Sequence, residues 1–380
     1  MPIEFRARLP ASDKADASRL SSDQNNQSRQ ASYFGASVIQ RSVDEEFLTR
    51  TARDNENSGF HSALIAQRST WPEVAALATW VLANTKTLKI VMAHRIGLQQ
   101  PTVAARALAT IDRLSQGRAL VHFILGSTEE DQRRDGDFLA KADRYRRAGE
   151  YLEIFNRLLT GSEPFDFEGE FYRVENAIPS VHPVQSPRPV LSIASAADEG
   201  LDLAARHVDT YALSAEPLAE TREILTRVKS RADKLGKRLR FWRDANFILA
   251  PTDEAARAKA ETLKANLAAN ASGANNLSLF SPQSVGGQRG AEFSARGDWH
   301  DRALYTGISK FAGSGPAFVG SPETVAEAVL DYYDLGIETY SIGAPAVTQE
   351  DRELRDDLLR RLAAGSQERD QQCKKGLGAA

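Results

Sequence analysis

A single cysteine, Cys373, in 380 residues leaves nothing from which to build a disulfide framework or a thiolate metal site. It lies in a polar stretch that reads as frayed, so thiol chemistry is not expected either. The six histidines show no His-Glu-x-x-His or comparable ligand spacing, and no metal site is expected. No run approaches the ~18 apolar residues of a membrane span, and the first ten residues carry Glu4, Arg6 and Arg8 instead of a secretory core. The expectation is a cytoplasmic protein that does not engage the membrane. Strong charge of one sign is missing too: 48 basic and 51 acidic residues are well mixed and sum to −3, so no electropositive face for nucleic acid is implied. Also absent are Gly-x-Gly-x-x-Gly, a Walker loop and Gly-x-Ser-x-Gly, which argues against a Rossmann dinucleotide enzyme, a P-loop NTPase and an α/β-hydrolase.

What is present is a long chain, 42% hydrophobic, able to bury one large core. Short apolar runs suited to buried strands fall near 3–9, 63–66, 88–93, 119–125, 190–194, 210–213, 240–249 and 339–342. Between them lie helix patterns from Asp44 and over 72–85, 101–114, 144–159, 199–206, 218–235, 253–267 and 322–335. Strands that alternate with covering helices are parallel, and about eight of them favour closure over an open sheet. The fold class is therefore α/β, a (β/α)8 TIM barrel with insertions, as one domain over 1–365 with a polar C-terminal tail over 366–380. Three segments fall outside the repeat: a polar loop over 11–31, a hairpin-like piece within 165–189, and a Gly, Ser and Asn rich stretch over 268–320 that reads as a lid.

Candidate site residues gather where barrel strands end. Ser195-Ala196-Ala197 leads from a strand into a helix, so its hydroxyl and free amides suit a phosphate at the positive helix end; the plainer reading is that Ser195 only caps that helix. Gly126-Ser127 follows a strand directly and is otherwise just a turn. His94 and Arg95 end one strand and His122 sits within the next, where an imidazole or guanidinium can meet an electron-rich ring edge. A lone strand histidine is more often a satisfied core residue. From the residues alone, the chain is a barrel with an anion site and a lid.

The stretch 101–119, Pro-Thr-Val-Ala-Ala-Arg-Ala-Leu-Ala-Thr-Ile-Asp-Arg-Leu-Ser-Gln-Gly-Arg-Ala, resembles a segment of alkanesulfonate monooxygenases in the luciferase-like flavin-dependent family. The likeness continues through Gly126-Ser127, Asp135-Gly136-x-Phe138-Leu139, Asp143-Arg144-Tyr145, Val208-Asp209-x-Tyr211 and Val319-Gly320-Ser321-Pro322-x-Thr324. It spans roughly 60–345. The resemblance implies a barrel that binds FMN as FMNH2, reacts it with O2 through a C4a-peroxyflavin, and oxygenates a small molecule. It also implies a separate NAD(P)H:flavin reductase and a homo-dimer or homo-tetramer. On that mapping Ser127, Tyr145, Ser195, Ala196, Ala197 and His122 contact the flavin, while His94, Asp244 and Asn246 stand in the catalytic place. Trp242, Arg243 and Lys310 lie toward substrate.

The substrate end departs from the sulfonate pattern. Arg-x-His in the family reads Asp244-Ala245-Asn246 here, a tryptophan is Ser214, a tyrosine is Ala344, and the lid arginine falls near Phe311 beside Lys310. A carboxylate where an arginine would grip a sulfonate argues against alkanesulfonate itself and toward another small substrate, organosulfur, neutral or cationic. Arg243 or Lys310 is the expected replacement cation. Two other outcomes stand beside oxygenation: different chemistry on the same fold, as flavin cleavage or F420-linked hydride transfer, and flavin binding without turnover.

Overall fold

The computed structural model describes residues 3–11, 43–126, 128–270, 285–309, 315–343 and 348–377. β1 (Glu4–Arg8) leads through α1 (Glu45–Asn57) to β2 (Ser62–Ile65), then α2 (Val74–Asn84), β3 (Lys89–Arg95), α3 (Pro101–Leu114) and β4 (Ala119–Ile124). A short α4 (Glu129–Arg134) and the long α5 (Lys141–Thr160) precede a separate hairpin of β5 (Phe165–Glu168) and β6 (Arg173–Ala177). The repeat resumes with β7 (Leu191–Ala194), α6 (Asp198–His207), β8 (Thr210–Leu213), α7 (Leu218–Asp233) and β9 (Arg240–Leu249). After α8 (Asp253–Asn270) come α9 (Val285–Ala295), β10 (Trp299–His300), β11 (Leu304–Tyr305) and β12 (Ala317–Gly320). The described chain closes with α10 (Pro322–Tyr333), β13 (Thr339–Ile342) and α11 (Gln349–Leu377).

Eight parallel strands form a closed barrel in the cyclic order β1, β2, β3, β4, β7, β8, β9, β13. Closure depends on β9, which pairs with β8 on one side and β13 on the other. Its far half, 246–249, runs on past the barrel and pairs with β12, so the later insertion grows from this strand. Phe5, Ile90, Met92, Val121, Phe123, Ile193 and Phe241 face outward and join helix residues such as Leu108, Leu152 and Leu201 in the main apolar core. That arrangement follows from period-two alternation in a sheet whose outer face is covered by amphipathic helices.

The segment expected as a lid is largely built. Within it α9 is tied to the barrel by Arg289, which donates to Glu216 at 2.8 Å and to Glu223 at 2.7 Å. Asp301 accepts from the Leu218 amide and the Tyr332 hydroxyl. Residues 271–284 and 310–314, and the expected polar loop beyond residue 11, lie outside the described residues.

The stretch expected as a polar tail from 366 continues a helix. α11 runs without a break across that point to Leu377, with Leu358, Leu362 and Ser366 buried at four-residue steps. A side chain on Gly365 would begin 2.4 Å from Leu330 of α10, so the contact is made by small residues that a polarity reading passes over.

The stretch 101–119 does structural work. Pro101 opens α3, and the fully buried Asp112 accepts from the Val184 amide at 2.7 Å, the Gln185 amide at 3.0 Å and Gln185 Nε2 at 2.6 Å. This carboxylate anchors the excursion between the hairpin and β7. Asp112→Ala removes the acceptor of three partly buried N–H donors and is expected to cost about 2 kcal/mol in urea unfolding; a loss below about 0.5 kcal/mol would show that the anchor is dispensable.

Candidate active site

Side chains of the opposite parity point into the barrel. Arg6, Ser62, Leu120, His122, Ser192, Trp242 and Ser341 fill its middle, an interior more polar than the aliphatic layers usual in such barrels. Arg6 donates through Nε to Ser62 at 3.1 Å, and its Cζ lies 4.7 Å from the Trp242 ring centroid. His122 meets the other side of this group, edge to face with Trp242 at 5.1 Å. Ser192 Oγ donates to the Val121 carbonyl at 3.1 Å. It must therefore accept from His122 Nδ1 at 3.0 Å, which leaves His122 Nε2 as an acceptor. Burial pushes the His122 pKa down to about 3, with the Arg6 charge adding to the effect, so the ring is neutral.

Above this layer, at the carboxyl ends of the strands, Arg8 and Asp244 pair at 2.8 Å with 30% and 38% of their side chains exposed. Asn246 lies beside them, donating through Nδ2 to the Pro316 carbonyl at 3.1 Å. Gly343 makes room: a side chain there would begin 2.4 Å from Asn246 Oδ1 and 2.8 Å from Arg8 Nη1. Arg8 is the cation that the sequence reading missed. Its signal was the alternation of Glu4, Arg6 and Arg8 along β1, which puts all three on the lumen side.

Two strands away around the wall, β7 delivers its turn. Ser195 Oγ accepts from the Ala197 amide at 3.2 Å and shares a hydrogen bond with the Tyr145 hydroxyl at 3.0 Å, while Tyr211 donates to the Ser195 carbonyl. The pair has two hydroxyl protons and spends one on itself, leaving one for an incoming oxygen. No side chain caps α6, and burial raises the Tyr145 pKa, so that phenol stays protonated. Gly200 lets Ser195 lie on the first turn, since a side chain there would begin 2.1 Å from Ser195 Oγ. Ala194, at the mouth, is exposed. Hydroxyls, helix end and open approach together suit a phosphate ester, so these residues fit FMN.

The other assignments divide. Tyr145, Ser195, Ala196 and Ala197 meet at one turn, and His122, Trp242, Asp244 and Asn246 share one lumen. His94 does not join them: it points outward, bonds through Nε2 to Tyr151 of α5 at 2.7 Å, and is a helix-layer residue. Arg243 is likewise corrected, being fully buried on the outer face with its Cζ 3.8 Å from the Tyr332 ring centroid and 5.2 Å from that of Phe318. Asp244 is no isolated carboxylate, because Arg8 faces it. Ser127, Lys310, Phe311 and Ala344 fall outside the described residues. Among the described residues no cluster could hold a metal ion, and no helix is long and apolar enough to cross a membrane.

The chain is thus a closed parallel barrel with a hydroxyl pair and an uncapped helix N-terminus at the carboxyl end of β7. Within it, the model of the luciferase-like monooxygenase family matches residues 29–339. The chain belongs to that family, and β1 with its two arginines lies outside the matched span. Solved structures that share the fold include an EDTA monooxygenase from Chelativorans sp. BNC1, at 15% identity and a TM-score of 0.71 over 97% of this chain and 95% of that one. A riboflavin lyase crystallised with modified FMN and riboflavin has 17% identity and a TM-score of 0.71 over 97% and 92%. An F420-dependent secondary alcohol dehydrogenase has 13% identity and a TM-score of 0.66 over 95% and 99%. Three chemistries thus occupy one fold, and fold alone does not choose among them.

Burial brings the His94 pKa down to about 4, as it brings that of His122 to about 3. Both lie below the ordinary value of ~6.5, so the unfolded chain takes up protons first and stability falls with pH from ~6.5 toward the folded values. Going from pH 7 to pH 5 should cost about 2 kcal/mol for each of these rings. In urea unfolding at the two pH values, His122→Gln should remove its share of that difference; an unchanged difference would mean that His122 is not held neutral.

Proposed function

We propose that this chain is the oxygenase half of a two-component FMNH2-dependent monooxygenase acting on a small organic substrate. Membership of the monooxygenase family is the starting point. The observation that carries the cofactor assignment is the Tyr145–Ser195 hydroxyl pair at an uncapped helix N-terminus, opening on a lumen lined by polar groups. In this reading Ser195, Tyr145 and the amides around Ala196 and Ala197 hold the phosphate, with Ser127 nearby in sequence. The ring system then lies across the mouth above His122 and Trp242. Reduced FMN, when bound, supplies two electrons with which one atom of O2 enters the substrate and the other leaves as water.

The chain's own residues orient and shield. Neutral His122 presents an acceptor without adding charge beneath the ring, and Trp242 with Arg6 closes the floor to bulk water. Asp244 and Asn246, with Arg8, stand where a substrate meets the mouth. A separate NAD(P)H:flavin reductase supplies the reduced flavin, in a cytoplasmic setting and with a homo-dimer or homo-tetramer as the working assembly. The absence of a dinucleotide fingerprint from the sequence supports the division of labour.

Titration with FMN and FMNH2 should show saturable uptake, and Ser195→Ala should weaken it about tenfold, the worth of one hydrogen bond to a charged oxygen. Unchanged affinity would remove the phosphate assignment. With reductase, NAD(P)H and labelled O2, one labelled atom should appear in product; turnover with F420H2 in place of FMNH2, or ring cleavage of the flavin, would replace oxygenation with another chemistry.

A further inference from the structure

One level of the barrel carries a charge that the phosphate turn on β7 does not use. Among the side chains that fill the middle of the lumen, Arg6 is the charged one, since burial holds His122 neutral and the others are serines, Leu120 and Trp242. The Arg6 guanidinium is 8% exposed, donates through Nε to Ser62 at 3.1 Å, and lies 4.7 Å from the Trp242 ring centroid with Nη1 unpaired. Among the described residues no carboxylate pairs with it. Glu4, two residues deeper on β1, is paired with Arg240, which also holds Glu338, and Asp244 nearer the mouth is paired with Arg8.

Burial brings the Arg6 pKa down to about 10, with Glu4 offsetting part of the effect, so the group stays charged near neutrality. His122 Nε2 is an acceptor at the same level, yet Arg6 Nη1 has no partner, and the imidazole takes up none of the charge. Instead the charge reaches across the layer: after burial, it is the next cause that lowers the His122 pKa. A cation kept without a counter-ion in a low-dielectric wall is costly, and it acts more strongly at a distance than it would in water. An oxidised flavin ring is neutral, whereas two electrons and one proton turn it into a monoanion. A positive charge beneath the ring therefore favours one redox state over the other. The Arg8–Asp244 pair sums to zero, and the turn on β7 meets the same phosphate in both states.

We infer that Arg6 sets the redox preference of the cofactor site: its unpaired charge in the barrel floor stabilises the reduced, anionic flavin ring over the oxidised, neutral one. The inference rests on the oxygenase reading and names the residue by which this chain tells the two forms of one cofactor apart. Arg6 acts through its field and not by contact, from a layer closed over by Trp242. Because β1 lies outside the span that the family model matches, family membership does not itself supply this charge.

With the full chain, dissociation constants are measured for FMN and, without oxygen, for FMNH2, at a pH where free reduced flavin is an anion; the midpoint potential of bound flavin is measured by dye equilibration. Reduced flavin should bind about tenfold more tightly than oxidised, the order expected for one unit charge acting through a protein interior, which places the bound couple ~30 mV above the free one. Arg6→Met should erase that ratio by weakening FMNH2 while leaving FMN within about twofold. Arg6→Lys should keep most of the ratio, and Asp244→Asn, which uncovers the Arg8 charge, should enlarge it. Ser195→Ala should weaken both states alike. Near-ultraviolet circular dichroism checks that each variant keeps its fold. Equal affinity of the wild-type chain for the two states, an Arg6→Met protein with an unchanged ratio, or a lysine variant that behaves like the methionine one would overturn the inference while leaving the phosphate site standing. No uptake of either state by the wild-type chain would sink the oxygenase reading and this inference with it.

Discussion

Whether a residue on a barrel strand reaches the lumen or the helix layer is decided by its parity, and every functional assignment in this chain is subject to that rule. Along β9, Arg240, Trp242, Asp244 and Asn246 turn inward, while Phe241, Arg243 and Phe247 turn out. Arg243 therefore becomes an aromatic-clamped cation between β9 and α10, stacked on Tyr332 and Phe318. One position along, Asp244 stands at the mouth. The same rule separates His94, bonded outward to Tyr151, from Arg95, whose guanidinium turns to Asp131 and Asp135 of the α4 region. Three consecutive residues cannot all face a substrate from one strand, whatever their chemistry.

The barrel itself was legible because its signals are local and redundant. The expected strands at 210–213, 240–249 and 339–342 and the helix at 101–114 coincide with β8, β9, β13 and α3. The stretch that carries the family resemblance proved most informative about the fold: Asp112 ties the excursion to β7, and Ser321 accepts from the Thr324 amide to start α10. Asp209 pairs with Arg188 beside the β7–β8 seam. Such residues recur in a pattern because they build the scaffold, so matching them says more about architecture than about substrate.

What escaped the sequence reading depends on distance along the chain. Arg8 and Asp244 come from opposite ends of the barrel sequence, and only closure brings β1 within one strand of β9, through β13. No spacing pattern announces that pair. The elements inside the insertion stayed hidden for a different reason: its glycines and polar residues carry little periodicity, yet α9 is held by Arg289 on Glu216 and Glu223, side chains supplied by the β8–α7 region. Docking through ion pairs leaves no apolar stripe to detect.

Electrostatics at the mouth also depends on pairs and not on single charges. Asp198 sits in the first turn of α6, where a carboxylate would oppose a bound phosphate at close range. Arg227 and Arg231 of α7 reach it and take up that charge. Asp244 would by itself favour cations, but Arg8 at 2.8 Å makes the local sum neutral while leaving both ends partly exposed. A neutral pair attracts no monopole at long range, because its field falls off faster than that of a single charge. Such a pair acts only at contact, by geometry.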